Sequence, residues 1–184
     1  ENQWATCTGS DSLNQDGSTG NRTGKVDFVG GNPIPAGSIT YSGGGGGSNV
    51  LRLINDLPVL ALAPLSFINE TYTATGPGAG TISLDGSVVN FSELSPVFDS
   101  VSALNYTFNA PAASNNILVT SVPTVNASPN GLRIASADPS PGFGSADITN
   151  KSNVPINPVT HTATPNPVTT PPDRNPTATP AAKT

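Results

Sequence analysis

The chain has 184 residues, a net charge of −5, only 10% Asp, Glu, Lys and Arg, and 19 each of glycine and proline. Soluble domains ordinarily carry about 25% charged residues, so this surface must be wetted by Ser, Thr and Asn, the profile of a secreted β-rich protein rather than a cytosolic enzyme. The seven cations, Arg22, Lys25, Arg52, Arg133, Lys151, Arg174 and Lys183, form no stripe that could track a phosphate backbone, which argues against nucleic acid, and no apolar run approaches the roughly 20 residues of a membrane span.

The chain opens at Glu1 and contains no methionine, as expected of a processed, secreted segment that works outside the cell or at its surface. Residues 1–24 read as an N-terminal arm. Cys7 is the only cysteine, so no internal disulfide is available, and its thiol is left for burial, for an intermolecular bridge or other attachment, or for reaction. The stretch SDSLNQDGSTGN (10–21) reads as a surface loop in preference to a calcium site, because it lacks EF-hand spacing.

Residues 25–157 read as a β-rich body. Short β-type runs follow one another: KVDFV (25–29), SITYS (38–42), NVLRLI (49–54), SFINETYTA (66–74), GTISL (80–84), SVVNF (87–91), LNYTF (104–108), NILVTS (116–121), GLRIAS (131–136) and SADIT (145–149). Each is bounded by Gly, Pro, Asn or Asp, the residues that permit turns, and no window sustains a helical period. The run GGGGGS (43–48) reads as a natural turn between two strands. Ile82 and Leu84 are expected on one face with Ser83 on the other, and Tyr106 and Phe108 opposite Asn105 and Thr107. Asp85-Gly86 predicts a two-residue hairpin, since a type I′ turn needs positive φ at both central residues.

From Pro155 the character changes, with eight prolines in thirty residues. Proline donates no ladder hydrogen bond, so residues 158–184 are expected to be an extended Pro/Thr-rich tail that docks on a neighbouring subunit or serves as a stalk. The only histidine, His161, falls in this tail, where nothing orients it as a general base, so a Ser-His-Asp or Cys-His arrangement is not expected. One Cys and one His cannot make a zinc set. No catalytic residue, cofactor or metal is expected. N-x-Ser/Thr sequons mark Asn21, Asn69, Asn90, Asn105, Asn126 and Asn150 as possible glycosylation sites.

Two stretches carry a resemblance. Val89, Phe91, Leu94, Pro96, Val97 and Asp99 fit V-x-F/Y-x-x-L-x-P-V-x-D after a DG turn, and Phe143 with Asn150, Lys151, Ser152, Val154, Ile156 and Asn157 fits a closing N-K-[ST]-x-V-x-I-N stretch. Residues 38–157 thereby resemble repeat segments of very large secreted or cell-surface bacterial proteins of planctomycete-like and chloroflexus-like bacteria. Their glycine-rich turns carry an acidic residue where this chain has Ser48-Asn49. The resemblance implies a structural or adhesive extracellular role.

The expected fold class is therefore all-β, a β-solenoid or a β-sandwich with an extended tail. The expected function is that of a non-enzymatic extracellular structural protein, a self-associating module of a surface fibre, layer or stalk that assembles through its β edges and tail or with other surface proteins. The alternative is a carbohydrate-binding or adhesive module, for which Trp4, Tyr41, Tyr72 and Tyr106 are the candidate stacking groups.

Overall fold

Alternating apolar residues can be buried only if strands present one face to a shared core. The computed structural model describes residues 3–6, 21–44, 48–55, 65–111, 115–139 and 142–157. Cys7, most of the 10–21 loop, Gly45–Gly47, His161 and the tail from residue 158 lie outside the described residues.

The chain is all-β, with strands in two mixed sheets. The first sheet runs in the order β1 (Gln3–Thr6), β2 (Arg22–Asp27), β4 (Val50–Ile54), β8 (Val97–Asp99), β12 (Ala146–Ile148), β11 (Ser128–Ser136) and β10 (Ile117–Val125). The second runs β13 (Lys151–Asn153), β9 (Ser102–Asn109), β5 (Ser66–Gly76), β6 (Ala79–Leu84), β7 (Ser87–Ser92) and β3 (Ile39–Ser42), with β14 (Ile156–Asn157) also on β9. The chain crosses from one sheet to the other after β2, β3, β4, β7, β8, β9 and β12, so most neighbours within a sheet are parallel. The pairs β2–β4, β4–β8, β8–β12, β5–β9 and β3–β7 all are. Antiparallel pairing is confined to the β5–β6–β7 meander and to β10–β11–β12.

Register stacks the inward residues of the first sheet into two columns, Gly24–Leu51–Val97–Ala146 and Val26–Leu53–Asp99–Ile148. Every apolar member is buried against Ile39, Tyr41, Tyr72, Ile82, Leu84, Val89, Phe91, Tyr106 and Phe108 of the second sheet. Gly24 is required because a Cβ there would sit 2.9 Å from the Tyr41 ring, whose hydroxyl donates to the Lys25 carbonyl at 3.0 Å. Phe108 stacks on Tyr72 at 5.1 Å and meets Phe143 at 5.2 Å, so aromatic contact runs from the second sheet to the segment entering β12.

The Asp85-Gly86 turn has φ of 45° and 94° and joins β6 to β7 directly, as its dipeptide predicts. A second turn of the same kind, Asn126-Ala127 with φ of 46° and 70°, joins β10 to β11 where the sequence shows no Gly. Both strands extend past Pro123 and Pro129. Pro123 is tolerated because β10 is outermost, and Pro129 because β12 pairs only with Leu132–Ile134 of β11. The short strands β1, β8, β13 and β14 were not expected. Gln3–Thr6 pairs with β2, which itself starts at Arg22, so part of the expected arm belongs to the first sheet.

Candidate functional site

Three charged side chains are buried together, two of them, Asp99 and Glu70, by strand parity. Asp99 occupies a core column of the first sheet, between Leu53 and Ile148. Glu70 shares the inward phase of β5 with Tyr72 and Ala74 and is registered against Tyr106 of β9. Lys151 opens β13 beside Ala103. Its approach is set by Asn150, in the left-handed region at φ 60°, whose side-chain nitrogen donates to the Ser100 carbonyl at 2.9 Å and whose carbonyl accepts from the Ala103 N–H at 3.1 Å.

These constraints bring the three side chains together. Lys151 Nζ donates to Glu70 Oε2 at 2.6 Å, to Asp99 Oδ2 at 3.1 Å and to the Val101 carbonyl at 2.6 Å. Asp99 Oδ1 accepts from the Val101 N–H at 2.9 Å, which holds that carboxylate in one orientation. Lys151 and Asp99 are each 2% exposed and Glu70 is wholly covered. The Tyr106 ring lies 5.5 Å from Nζ. Among the described residues, Glu70 Oε1 and the Tyr106 hydroxyl have no hydrogen-bond partner.

Two carboxyls against one ammonium in a dry site cannot all be charged without a large cost. Burial pushes the Glu70 carboxyl well above its ordinary range, and Asp99 adds to the rise through its charge and a shared hydrogen bond. Burial works against the Lys151 ammonium, but the Asp99 and Glu70 carboxylates outweigh it and hold the lysine above its usual value. Tyr106 is raised by burial and then by the two carboxylates. Burial and the neighbouring Asp99 thus favour the neutral form of Glu70, beside the 3.1 Å contact of Lys151 with Asp99. Asp99 and Lys151 stand in the two motif stretches noted above, yet nothing in their spacing links them to each other or to Glu70. For Asp99 and Glu70 the signal available was charge in the apolar phase of a strand; Lys151 carries no such signal.

A second feature lies on the outer face of the second sheet. Asn153 Nδ2 donates to Asn105 Oδ1 at 3.0 Å, and Asn105 Nδ2 to Asn69 Oδ1 at 3.2 Å. Four residues along, Asn157 donates to Asn109 at 3.1 Å and Asn109 to Thr73 at 3.3 Å. Two ladders, one of amides throughout and one ending on the Thr73 hydroxyl, thus cross β5, β9 and the outermost strands β13 and β14. Beside them Ile68 and Leu104 are 62% and 51% exposed. An open polar depression of about 580 Å³ lies elsewhere, lined by Asn49, Glu93, Asp138 and Phe143 among others, and Asp138 there is bound to the Asn116 backbone and side-chain nitrogens at 2.8 and 2.6 Å.

The sequon asparagines are dispersed. Asn69 and Asn105 belong to the first ladder, Asn90 lies in β7, Asn21 is exposed and accepts from the Ser48 N–H at 2.8 Å, and Asn150 holds the Lys151 turn. Asn126 Nδ2 donates to the Leu53 and Phe98 carbonyls and to Ser100 Oγ. Tyr41, Tyr72 and Tyr106 are all buried, which overturns their expected role as stacking groups for a sugar: each sits in the inward phase of its strand and fills the core. Of Trp4 only the backbone is described. No helix among the described residues is long and apolar enough to cross a membrane.

The chain matches no family model, no curated protein and no solved structure.

Proposed function

We propose that this protein is a non-enzymatic structural module of an extracellular or cell-surface assembly, built as a short β-solenoid whose turns alternate between two sheets and whose open edge receives another copy. The observation that carries the reading is the pair of asparagine ladders. Such ladders link equivalent positions of successive parallel strands and reward the addition of one more strand in register. Here they end on β13 and β14, at the edge of the sheet, where a further polar side chain would continue both rows. Low charge, turn-rich composition and the resemblance to surface repeats agree with it, and the Pro/Thr-rich tail is assigned to contact with the neighbour.

Sedimentation of the purified chain over a range of concentrations, with electron microscopy of the associated material, tests this. The native chain should form open-ended assemblies, whereas Asn153→Lys combined with Asn157→Lys, which places two charges on the edge, should remain a folded monomer. A native chain that stays monomeric at the highest concentrations would overturn the reading.

A further inference from the structure

The Glu70, Asp99 and Lys151 cluster is a stranger arrangement than a structural ion pair requires. An ion pair needs one carboxylate, and a second buried beside it adds desolvation without charge balance. The amine, however, lies in contact with one carboxylate oxygen of a rigidly held aspartate, while a second carboxyl group touches the same amine at 2.6 Å. That is the requirement for forming an amide: a nucleophile, an electrophilic carbonyl carbon and an acid that can relay a proton, packed together without bulk water.

We infer that Lys151 and Asp99 join through an intramolecular amide bond between Nζ and Cγ, with Glu70 as the catalytic acid–base, giving a covalent staple from the end of β8 in one sheet to the start of β13 in the other. The inference does not depend on the structural-module reading. The starting species are an ammonium, a carboxylate and the Glu70 acid. One proton passes from Nζ to Asp99 along their 3.1 Å contact, leaving three groups with no buried charge. The Nζ lone pair then attacks Cγ, and the carbonyl π electrons move onto an oxygen that the Glu70 acid stabilises by hydrogen bonding. Nζ gives up a second proton through Glu70 to the departing hydroxyl, the C–O bond breaks with its electron pair going to oxygen, and water leaves. The product is a secondary amide, one water is lost, and Glu70 ends protonated as it began.

The geometry supports each role. Nζ is 3.1 Å from Asp99 Oδ2, so the amine is in direct hydrogen-bond contact with the carboxyl group it would attack. The Val101 N–H on Asp99 Oδ1 holds the carboxyl in place, and Glu70 Oε2 at 2.6 Å from Nζ is placed to take and return the proton. The Tyr106 ring excludes solvent from one side.

Mass spectrometry of the purified, denatured full chain tests the bond. The intact mass should be one water below that of the sequence, and digestion should yield a branched peptide joining the Lys151 segment to the Asp99 segment. The branch is the decisive readout, because succinimide formation at Asp85-Gly86 or cyclisation of Glu1 also removes water without joining two segments. Asp99→Asn should give the same branched peptide by loss of ammonia, whereas Glu70→Gln, with an unchanged circular dichroism spectrum, should return the two segments separately. Separate Lys151 and Asp99 peptides from the folded native chain overturn the inference whether or not any variant folds. A branch ending on Glu70 overturns the assignment of the electrophile, and a Glu70→Gln chain that links as completely as the native one overturns the role of Glu70.

Discussion

Asn126 shows how one side chain can tie several strands together. It occupies the first position of the β10–β11 turn at φ 46°. Its Nδ2 donates to the Leu53 carbonyl at 3.0 Å, the Phe98 carbonyl at 3.2 Å and Ser100 Oγ at 3.3 Å, while its Oδ1 accepts from Arg52 at 2.8 Å. Arg52 in turn lies over the Phe98 ring at 4.5 Å. The turn is thus fastened to the chain around β4 and β8. Asn126→Gly removes these bonds while keeping a residue at ease with positive φ, and should cost about 2 kcal/mol. Asn126→Ala adds the left-handed penalty and should cost about 1 kcal/mol more. Urea unfolding of the two variants checks the order, and equal losses would show that backbone strain has no part in the effect.

The β6–β7 hairpin acts beyond its own two strands. Asp85 Oδ2 accepts from the Ile68 N–H and Oδ1 from the Asn69 N–H, both at 2.8 Å, on the stretch of β5 that precedes its first partner in β6, Glu70↔Leu84. Asp85→Ala should therefore raise amide exchange at Ile68 and Asn69 by an order of magnitude or more while leaving Ile82 protected, consistent with about 1–2 kcal/mol of local opening. Uniform exchange across the hairpin would show that the carboxylate acts only through the turn. This hairpin was legible in the sequence, as were the longer strands, because Asp-Gly and strict alternation are local signals. The short parallel strands were not. VFD, KSN and IN are too brief to show a period, and they are strands only because longer neighbours 46 to 48 residues away supply their partners, as Leu51↔Val97 and Asn105↔Asn153 illustrate. The charged cluster was hidden for the same reason, with Lys151 lying 52 residues from Asp99 and 81 from Glu70.

For the whole molecule, the two sheets close over one core and carry a carboxylic acid into it, so global stability must depend on pH through Glu70. Burial, the larger cause, followed by Asp99 raises the folded-state pKa of Glu70 well above 4.5. Between that unfolded value and the raised folded one, the native chain holds a proton that the unfolded chain has released. Folding then takes up a proton, and the contribution of Glu70, complete in acid below about 4.5, is lost as the pH rises through the folded pKa. The slope is about 1.4 kcal/mol per pH unit at most for one proton. An amide between Lys151 and Asp99 leaves Glu70 buried and ionisable, so the direction is the same with or without the staple. Glu70→Gln cannot titrate, and its unfolding free energy should lack this downward slope between mildly acidic and neutral pH. The slope is the quantity to compare, since the absolute stability of the variant also reflects the missing charge and any missing bond. Denaturant midpoints for both chains across that range decide the matter, and parallel curves would mean that Glu70 is ionised in the folded protein.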